Sequence, residues 1–463
     1  MMMLSEIATA VNGQLLGADV RVQSVASDSR KIVKNQLFVA IKGENFDGNA
    51  YALEAIKQGA AAALVSDINA NAQPAVRVAD TRLALGKLAQ YWREKFSLPL
   101  VAVTGSNGKT TVKEMIAAIL AATTGDVNSV LATVGNLNND IGMPMTLLKM
   151  RENHQYAVIE MGMNHLLEID YLTRLAAPSV AVITNAGTAH IGEVGSRDAI
   201  AQAKGEIFAG LAADGIAVIN ADDEFANYWQ SLNSHRKIIT FGLNKAADIS
   251  ASYSAQGNMT HIKLSTPDGE TEFNLDALGE HNVRNALAAS AVALALGISN
   301  ADIAAGLASF SAVKGRLNWL LGFNGAVLID DTYNANPDSM KAAIDVLAKL
   351  EGLKIFVMAD MAELGVNAAQ MHADIGAYAK QKAIAHLFTF GDLSQQASSA
   401  FGGDAQHFTS LETLVISLKL LMQAQVTVLV KGSRFMQMER LVNAIGLENT
   451  NPIKKQHELE ESE

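Results

Sequence analysis

Short apolar runs that end in a polar residue or glycine recur along most of this chain, and they constrain its fold more than any other feature. Between about residues 85 and 312 they are LVAVTG, YAVIEMG, VAVITNA and GIAVIN; beyond 313 they are AVLIDD, KIFVMAD, HLFTFGD and VTVLVKGS. Runs this short, with no polar alternation, suit strands of a parallel sheet buried on both faces. Helix-patterned stretches such as DSMKAAIDVLAKLEG lie between them, which reads as two doubly wound α/β units. Residues 1 to about 80 mix β-like runs (RVQSVASDSR, QLFVAIKG) with a helix-like NAYALEAIKQGA, a smaller α/β unit. The expected organisation is a small α/β N-terminal domain at 1–83, a central domain with a mostly parallel sheet at 84–312, a C-terminal Rossmann-like doubly wound domain at 313–450, and a polar, disordered tail at 451–463. A chain of 463 residues accommodates this, and 49% hydrophobic against 18% charged residues supply large cores.

Composition removes several function classes. A net charge of −11 argues against a general nucleic-acid or anionic-membrane binder. With no cysteine, disulfides, thiolate nucleophiles and cysteine-based metal sites are excluded. The start, MMMLSEIATAVNG, lacks a basic region and carries Glu6, unlike a secretory signal. The longest apolar run, ALAASAVALALG, is too short to span a bilayer and reads as a buried helix. The expectation is a soluble, cytoplasmic protein.

The first run of the central unit leads into the strongest motif. In Thr104-Gly105-Ser106-Asn107-Gly108-Lys109-Thr110-Thr111, two glycines let the backbone turn and aim N–H groups at phosphate oxygens. Lys109 would pair with the β/γ-phosphates, Thr110 would ligate Mg²⁺, and the helix opening at Lys109 adds the positive end of its dipole. The usual glycine five residues before Gly108 is Val103 here, so the loop is a shortened variant.

In open α/β sheets ligands bind beyond the carboxyl ends of the strands, and three such ends carry candidates. Glu160 is a reasonable second metal ligand, since Mg²⁺ takes oxygen ligands. Asn185 and His190 follow VAVIT; the histidine is either a further ligand or a polar loop residue. Asp330 and Asp331 either hold a ribose or a cation, or cap the turn before Pro337. Lys204 sits on an amphipathic helix pattern, IAQAKGEIF, where a surface lysine is the plain alternative. His281, Asn282 and Asn285 open a helix, as ligand contacts or as caps. Arg316 lies at the expected domain junction, able to reach a transferring phosphate or to brace a hinge.

Taken in order, these motifs resemble the Mur ligase family over nearly the whole chain. TGSNGKTT, EMGMN, ITNAGTAHI, AKGEIF, GEHNVRNALAA and KGR carry the resemblance, and SDSRK, LFVAIKGENFDGN, GNLNNDIGMPMTLL, DDTYNANPDSM and MAELG narrow it to one branch. One departure is Ala359 before Asp360-Met361, where the family has glycine. The resemblance implies ATP-dependent ligation of D-alanyl-D-alanine to the C-terminal carboxylate of UDP-N-acetylmuramoyl-tripeptide through an acyl phosphate, in cytoplasmic peptidoglycan precursor synthesis. The alternative is another Mur-type or a folylpolyglutamate-type amide ligase. It further implies ATP with two Mg²⁺, and a monomer without nucleic-acid partners or stable membrane insertion.

By the same resemblance, Gly105 to Thr111 would hold the phosphates, and Thr110, Glu160 and His190 the metal. Lys204 would be N-carbamylated to help bind a second Mg²⁺. Asn285 would contact adenine, Arg316 the γ-phosphate and Asp331 the ribose. Asp28, Ser29, Arg30, Gly43 and Asp47 would serve the UDP-sugar, and Asn136, Asn138 and Asn139 its peptide. Asn334, Asn336, Asp360, Glu363 and Arg434 would face the cleft from the C-terminal domain.

Overall fold

The computed structural model describes residues 1–43, 45–67, 70–257 and 259–447; the tail expected at 451–463 lies outside the described residues. Its centre is a six-stranded, all-parallel sheet ordered Lys237–Phe241, Ile216–Asn220, Val180–Ile183, Leu100–Thr104, Tyr156–Glu160, Val130–Ala132. Each central strand feeds two cores at once. Leu100 and Ala102, Ala157 and Ile159, and Ala181 and Ile183 point to one face; Val101 and Val103, Val158, and Val180 and Val182 point to the other. The two-residue period of a strand, applied to an all-apolar run, requires cover on both sides.

Helices supply that cover. Lys109–Thr124 and the alanine-rich Glu280–Ala295 pack on the second face. Asn300–Ala308 lies so close to the first of these that a Cβ on Gly306 would stand 2.3 Å from the Ile119 Cα. On the first face, Thr81–Arg93 is capped by Asp80, which accepts from the Arg82 and Leu83 N–H groups, and it buries Leu85 and Leu88. Gly86 sits under the Tyr171 hydroxyl, where any Cβ would collide at 1.9 Å. The expected division at 83/84 falls inside this helix.

The N-terminal part has a five-stranded sheet, parallel except for Gln14–Leu16 along Ala75–Arg77. The C-terminal sheet is ordered Asn318–Leu321, Val327–Asp331, Val426–Lys431, Leu353–Ala359, His386–Phe390, Ala405–Phe408, and only its first strand is antiparallel. Val426–Lys431 returns to the middle of the sheet after the chain has moved outward, bringing Asp331 and Lys431 side by side.

Ten strands among the described residues lie outside the runs that the sequence marks as strands: Met2–Met3, Gln14–Leu16, Ala75–Arg77, Val130–Ala132, Lys237–Phe241, Ser250–Gln256, Met259–Thr266, Gly269–Leu275, Asn318–Leu321 and Ala405–Phe408. Three of them form an antiparallel sheet with one solvated face, visible in the alternation of Met259–Thr266, where Thr260, Ile262 and Leu264 are buried. The others are short edge or near-edge strands, where less apolar content is needed.

The helix carrying Lys204, Arg197–Gly205, is braced by Trp229, whose ring is wholly buried and whose Nε1 donates to the Ala201 carbonyl at 3.0 Å. Trp229→Ala removes that volume and strands the carbonyl. It is expected to lower the unfolding free energy by about 3–5 kcal/mol, read as a lower denaturant midpoint at unchanged slope. A loss under about 1 kcal/mol would mean the site collapses around the gap.

Candidate active site

A cleft of about 2320 Å³ runs between the central and C-terminal sheets, at the carboxyl ends of Leu100–Thr104, Tyr156–Glu160 and Val327–Asp331. The phosphate loop forms its floor. Gly105 (φ +151°) and Gly108 (φ +82°) take conformations open to glycine, and Gly108 faces Asn285, whose Oδ1 would be 2.3 Å from an added Cβ. Asn185 ties the loop down: its carbonyl accepts from Ser106 N–H and its Oδ1 from Asn107 N–H. Lys109 arches back so that Nζ donates to the Gly105 carbonyl at 2.7 Å. Val103 is fully buried core, so a valine at that position suits the strand.

Beside the loop, Thr110 Oγ1 donates to Glu160 Oε2 at 2.8 Å, and Arg316 Nη2 donates to Thr110 Oγ1 at 2.9 Å. Glu160 is held from two further sides. Asn138 Nδ2 donates to its other oxygen at 2.8 Å, and its N–H donates to Thr133 Oγ1. Thr133 is absent from the sequence reading; behind it the buried Lys113 donates to its carbonyl at 2.5 Å. No motif marks either residue.

Lys204 is fully buried and its Nζ has no hydrogen-bond partner among the described residues, which dismisses the surface-lysine reading. Burial pushes its pKa well below the usual lysine value, helped by the nearby Lys109 charge and opposed by Glu206 and Glu160. Lys109 is lowered too, by desolvation and by Arg316. Ser106 Oγ and Arg316 Nε are likewise buried without partners. Buried unsatisfied donors cost about 1–3 kcal/mol each, and this group suits a polyanionic ligand.

The C-terminal sheet supplies the opposite wall. Asp331 receives Lys431 Nζ at 2.6 Å and Leu317 N–H at 3.2 Å. Burial raises its pKa against the pull of Lys431. Asp330 instead accepts from Thr332 N–H and Oγ1, so it is the turn cap. Arg316 Cζ lies 4.1 Å from the Tyr333 ring centroid. Asn336, N-cap of Pro337–Ala348, donates to Asn107 Oδ1 at 2.8 Å, and Asp338 accepts from Thr188 N–H and Oγ1. His190 Nδ1 lies 2.6 Å from Glu363 Oε2 without hydrogen-bond alignment, and this contact holds the Glu363 carboxyl below its ordinary range. Neither Lys431 nor Asp338 stands out in the sequence: one ends an apolar strand, the other looks like an ordinary first-turn acid.

Other candidates are engaged in local structure, on the cleft lining or away from it. Thr104 is buried and spends its hydroxyl on the Met161 carbonyl. Asn139 Oδ1 accepts from the Ile141 and Gly142 N–H groups where the helix Gly142–Leu147 begins. Asp28 is closed on Arg30, which with its own N–H draws the Asp28 carboxyl down to about 2. Asp47 closes on Asn49, and Gly43 turns under Phe46. Asp28, Ser29, Arg30, Gly43 and Asp47 are outside the cleft lining, whereas Asn136, Asn138, Asn139, Asn334 and Arg434 are on it. Asp360 receives Leu393 and Ser394 N–H and borders a separate, smaller cavity lined by Phe390, Phe408 and Phe435. Ala359 is accommodated because Gly432 faces it; a Cβ there would meet the Ala359 methyl at 2.7 Å. His281 is half-buried on the cleft lining, and desolvation lowers its pKa to about 4, while Asn282 Nδ2 donates to the Leu278 carbonyl and Asn282 Oδ1 accepts from Asn285 Nδ2.

Among the described residues no group of three or more His, Asp or Glu is poised around one point.

A phosphate loop on one parallel sheet, crossed by an arginine and faced by acids from a second, defines an enzyme that handles a nucleotide phosphate between two α/β domains. Three successive segments match known family patterns: residues 21–93 the Mur ligase family catalytic domain, 103–293 the Mur ligase middle domain, and 315–434 the Mur ligase glutamate ligase domain. The chain belongs to the Mur ligase family. It is 43% identical over 448 residues to the Haemophilus influenzae UDP-N-acetylmuramoyl-tripeptide–D-alanyl-D-alanine ligase, covering 95% of this chain and 97% of that one. Acinetobacter baumannii MurF superposes with a TM-score of 0.88 at 38% identity over 95% of this chain and 97% of that one. Thermotoga maritima MurF in complex with ADP does so at 0.81 and 27% identity, over 91% and 97%.

Proposed function

We propose that this enzyme joins D-alanyl-D-alanine to the C-terminal carboxylate of UDP-N-acetylmuramoyl-tripeptide with ATP, releasing ADP and phosphate. The observation that carries the reading is the reach of Arg316 from the junction with the C-terminal sheet to Thr110 of the phosphate loop, together with 43% identity along nearly the whole chain to a ligase of that name. A folylpolyglutamate-type or other Mur-type activity is not favoured, because that identity extends through the segments in which those enzymes would differ.

Two steps follow. A peptide carboxylate oxygen attacks the γ-phosphorus, the bond to the β-phosphate oxygen breaks, and ADP leaves with that electron pair. The free amine of the dipeptide then attacks the acyl carbon, loses a proton, and phosphate departs as the amide forms. Lys109 and Arg316 offset charge on the transferring group, the main demand in such reactions. Thr110 and Glu160 would hold Mg²⁺, with His190 and a carbamate on Lys204 at a second ion; when bound, Mg²⁺ supplies Lewis-acid stabilisation of the phosphoryl oxygens. Lys204 fits this role because its amine is buried, unpartnered and biased to the neutral form: the nitrogen adds to CO₂, releases a proton and becomes an anion. The parts 1–83, 84–312 and 313–450 would respectively hold the UDP-sugar, hold ATP, and close over both with the dipeptide. Asn285 would contact adenine and Asp331 the ribose. Contacts such as Asn336 to Asn107 and Asp338 to Thr188 would close the cleft and keep water from the acyl phosphate.

The test is ADP release with ATP, the tripeptide nucleotide and a panel of amines. Release is expected with D-alanyl-D-alanine and not with glutamate or diaminopimelate; the reverse pattern would overturn the assignment.

A further inference from the structure

Two lysines are among the largest fully buried side chains, Lys204 and Lys113. The ligation steps engage the first and not the second. Lys113 lies one turn on from Lys109 in the helix Lys109–Thr124. It is outside the cleft lining, so it meets neither nucleotide nor peptide. Its ammonium group instead donates to the Thr133 carbonyl at 2.5 Å and to the Glu114 carboxylate.

Stability does not call for a cation at this place. Replacing a buried ion pair by apolar side chains of similar volume is often neutral or stabilising, and the Glu114 carboxylate, 40% exposed, stays solvated without its partner. What an apolar side chain cannot do is hold the Thr133 carbonyl. Thr133 follows the three-residue edge strand Val130–Ala132, which pairs on one side only, with Tyr156–Glu160. The next residues, Val134, Gly135, Asn136 and Leu137, are exposed and have little packing to fix them.

From Thr133 the contacts run to the site. Its Oγ1 accepts from the Glu160 N–H at 2.9 Å, Glu160 Oε1 accepts from Asn138 Nδ2 at 2.8 Å, and the Asn138 carbonyl accepts from the Gly162 N–H at 2.9 Å. Glu160 Oε2 accepts from Thr110, which like Lys113 belongs to the phosphate-loop helix. That helix therefore grips the Asn138 loop twice, at its root through Lys113 and at Asn138 through Thr110 and Glu160.

We propose that Lys113 is a positioning residue that sets the 134–139 loop on the phosphate-loop helix, so that Asn136 and Asn138, both on the cleft lining, are in place for the peptide of the nucleotide sugar. This rests on the ligation reading above, which brings that peptide to the loop. The phosphate loop itself is tied down separately, by Asn185. Releasing Lys113 therefore frees 134–139 and leaves the ATP end of the site fixed. Lys113→Met keeps an unbranched side chain of similar length and removes the ammonium group.

Backbone hydrogen exchange on the full chain reads the loop directly. In Lys113→Met the amides of 133–138 are expected to exchange about tenfold or more faster, while those of Lys237–Phe241, the edge strand on the far side of the same sheet, change less than about twofold. Unchanged exchange at 133–138, or an equal rise at both edges, would overturn the proposal. Steady-state kinetics give the second readout. The KM for the tripeptide nucleotide is expected to rise about tenfold or more and that for ATP less than about threefold. In an Asn138→Ala background the same change should raise the tripeptide KM less than about threefold, because the residue it positions is gone. Parallel rises in the two KM values, or a full-sized effect in the Asn138→Ala background, would mark a general loosening of the fold and overturn the positioning role. If Lys113→Met does not fold, Thr133→Val decides, since it removes one hydroxyl from the same relay: the same local rise in exchange and in tripeptide KM is expected, and unchanged values overturn the proposal. Hydroxylamine trapping without the dipeptide separates the two readings. Absence of any peptide hydroxamate from the unaltered enzyme would remove the ligation reading, whereas hydroxamate with unchanged loop exchange in Lys113→Met removes only the positioning role.

Discussion

Arg316→Ala is expected to reduce tripeptide-dependent ADP release by roughly 10³-fold or more, the range seen when a cation that neutralises a transferring phosphoryl group is removed. The guanidinium is the part of the site that belongs to neither sheet alone. Its Cζ lies 4.1 Å from the Tyr333 ring centroid, and its Nη2 donates to the same hydroxyl that donates to Glu160. The ring contact and the hydrogen bond to Thr110 hold the group in place, so the donors are already aimed when charge develops. Lysine has no planar donor fork, and Arg316→Lys should recover only a minor part of the rate. Because Arg316 follows Gly315 in a left-handed turn outside the sheets, the thermal midpoint should hardly move. A fall in rate of less than about tenfold in the alanine variant would show that Lys109 alone carries the charge, leaving Arg316 as a hinge brace.

Lys204→Ala is expected to lose about 10²-fold or more of the ligation rate, as for residues that complete a metal site, and to regain part of it when acetate or propionate is added. The argument is electrostatic. A buried lysine that stayed cationic beside Lys109 would face like charge and full desolvation, and both push it toward the neutral amine. A neutral, unpartnered amine adds CO₂ and becomes a carboxylate-like anion. Small carboxylic acids therefore replace the missing group in the alanine variant and do nothing for the unaltered enzyme. Short alkyl amines are the control: if they restore the rate and carboxylic acids do not, the group acts as an amine and the carbamate is wrong.

Legibility differed from residue to residue for physical reasons. The parallel strands were readable because burial on both faces removes polar alternation, as in Val180–Ile183. The antiparallel strands of 250–275 were not, because one solvated face leaves a mixed composition close to that of a loop. Glu160, Lys109 and Arg316 stood out in the sequence because they follow strand ends or a junction, and the structure brings them together around Thr110 and the phosphate loop. Thr133, Lys113 and Asp338 did not stand out, because an ordinary threonine, lysine or acid acquires its role only from what lies across from it. Asp28, Asp47 and Asp360 carried the reverse lesson: each looked like a ligand contact, and each is engaged by backbone N–H groups of its own or a neighbouring loop.

By itself the amino-acid order determined the two doubly wound units, the phosphate loop and its helix, and the family motifs, since all of these depend on local periodicity, glycine geometry and short spacings. Only the tertiary structure decided that Lys204 is buried and unpartnered, that Asp331 is paired with Lys431 while Asp330 caps a turn, and that Asn336 and Arg316 meet the loop from the other side of the cleft. Those facts turn on desolvation and on contacts between residues up to 229 positions apart, and neither quantity exists until the sheets have packed.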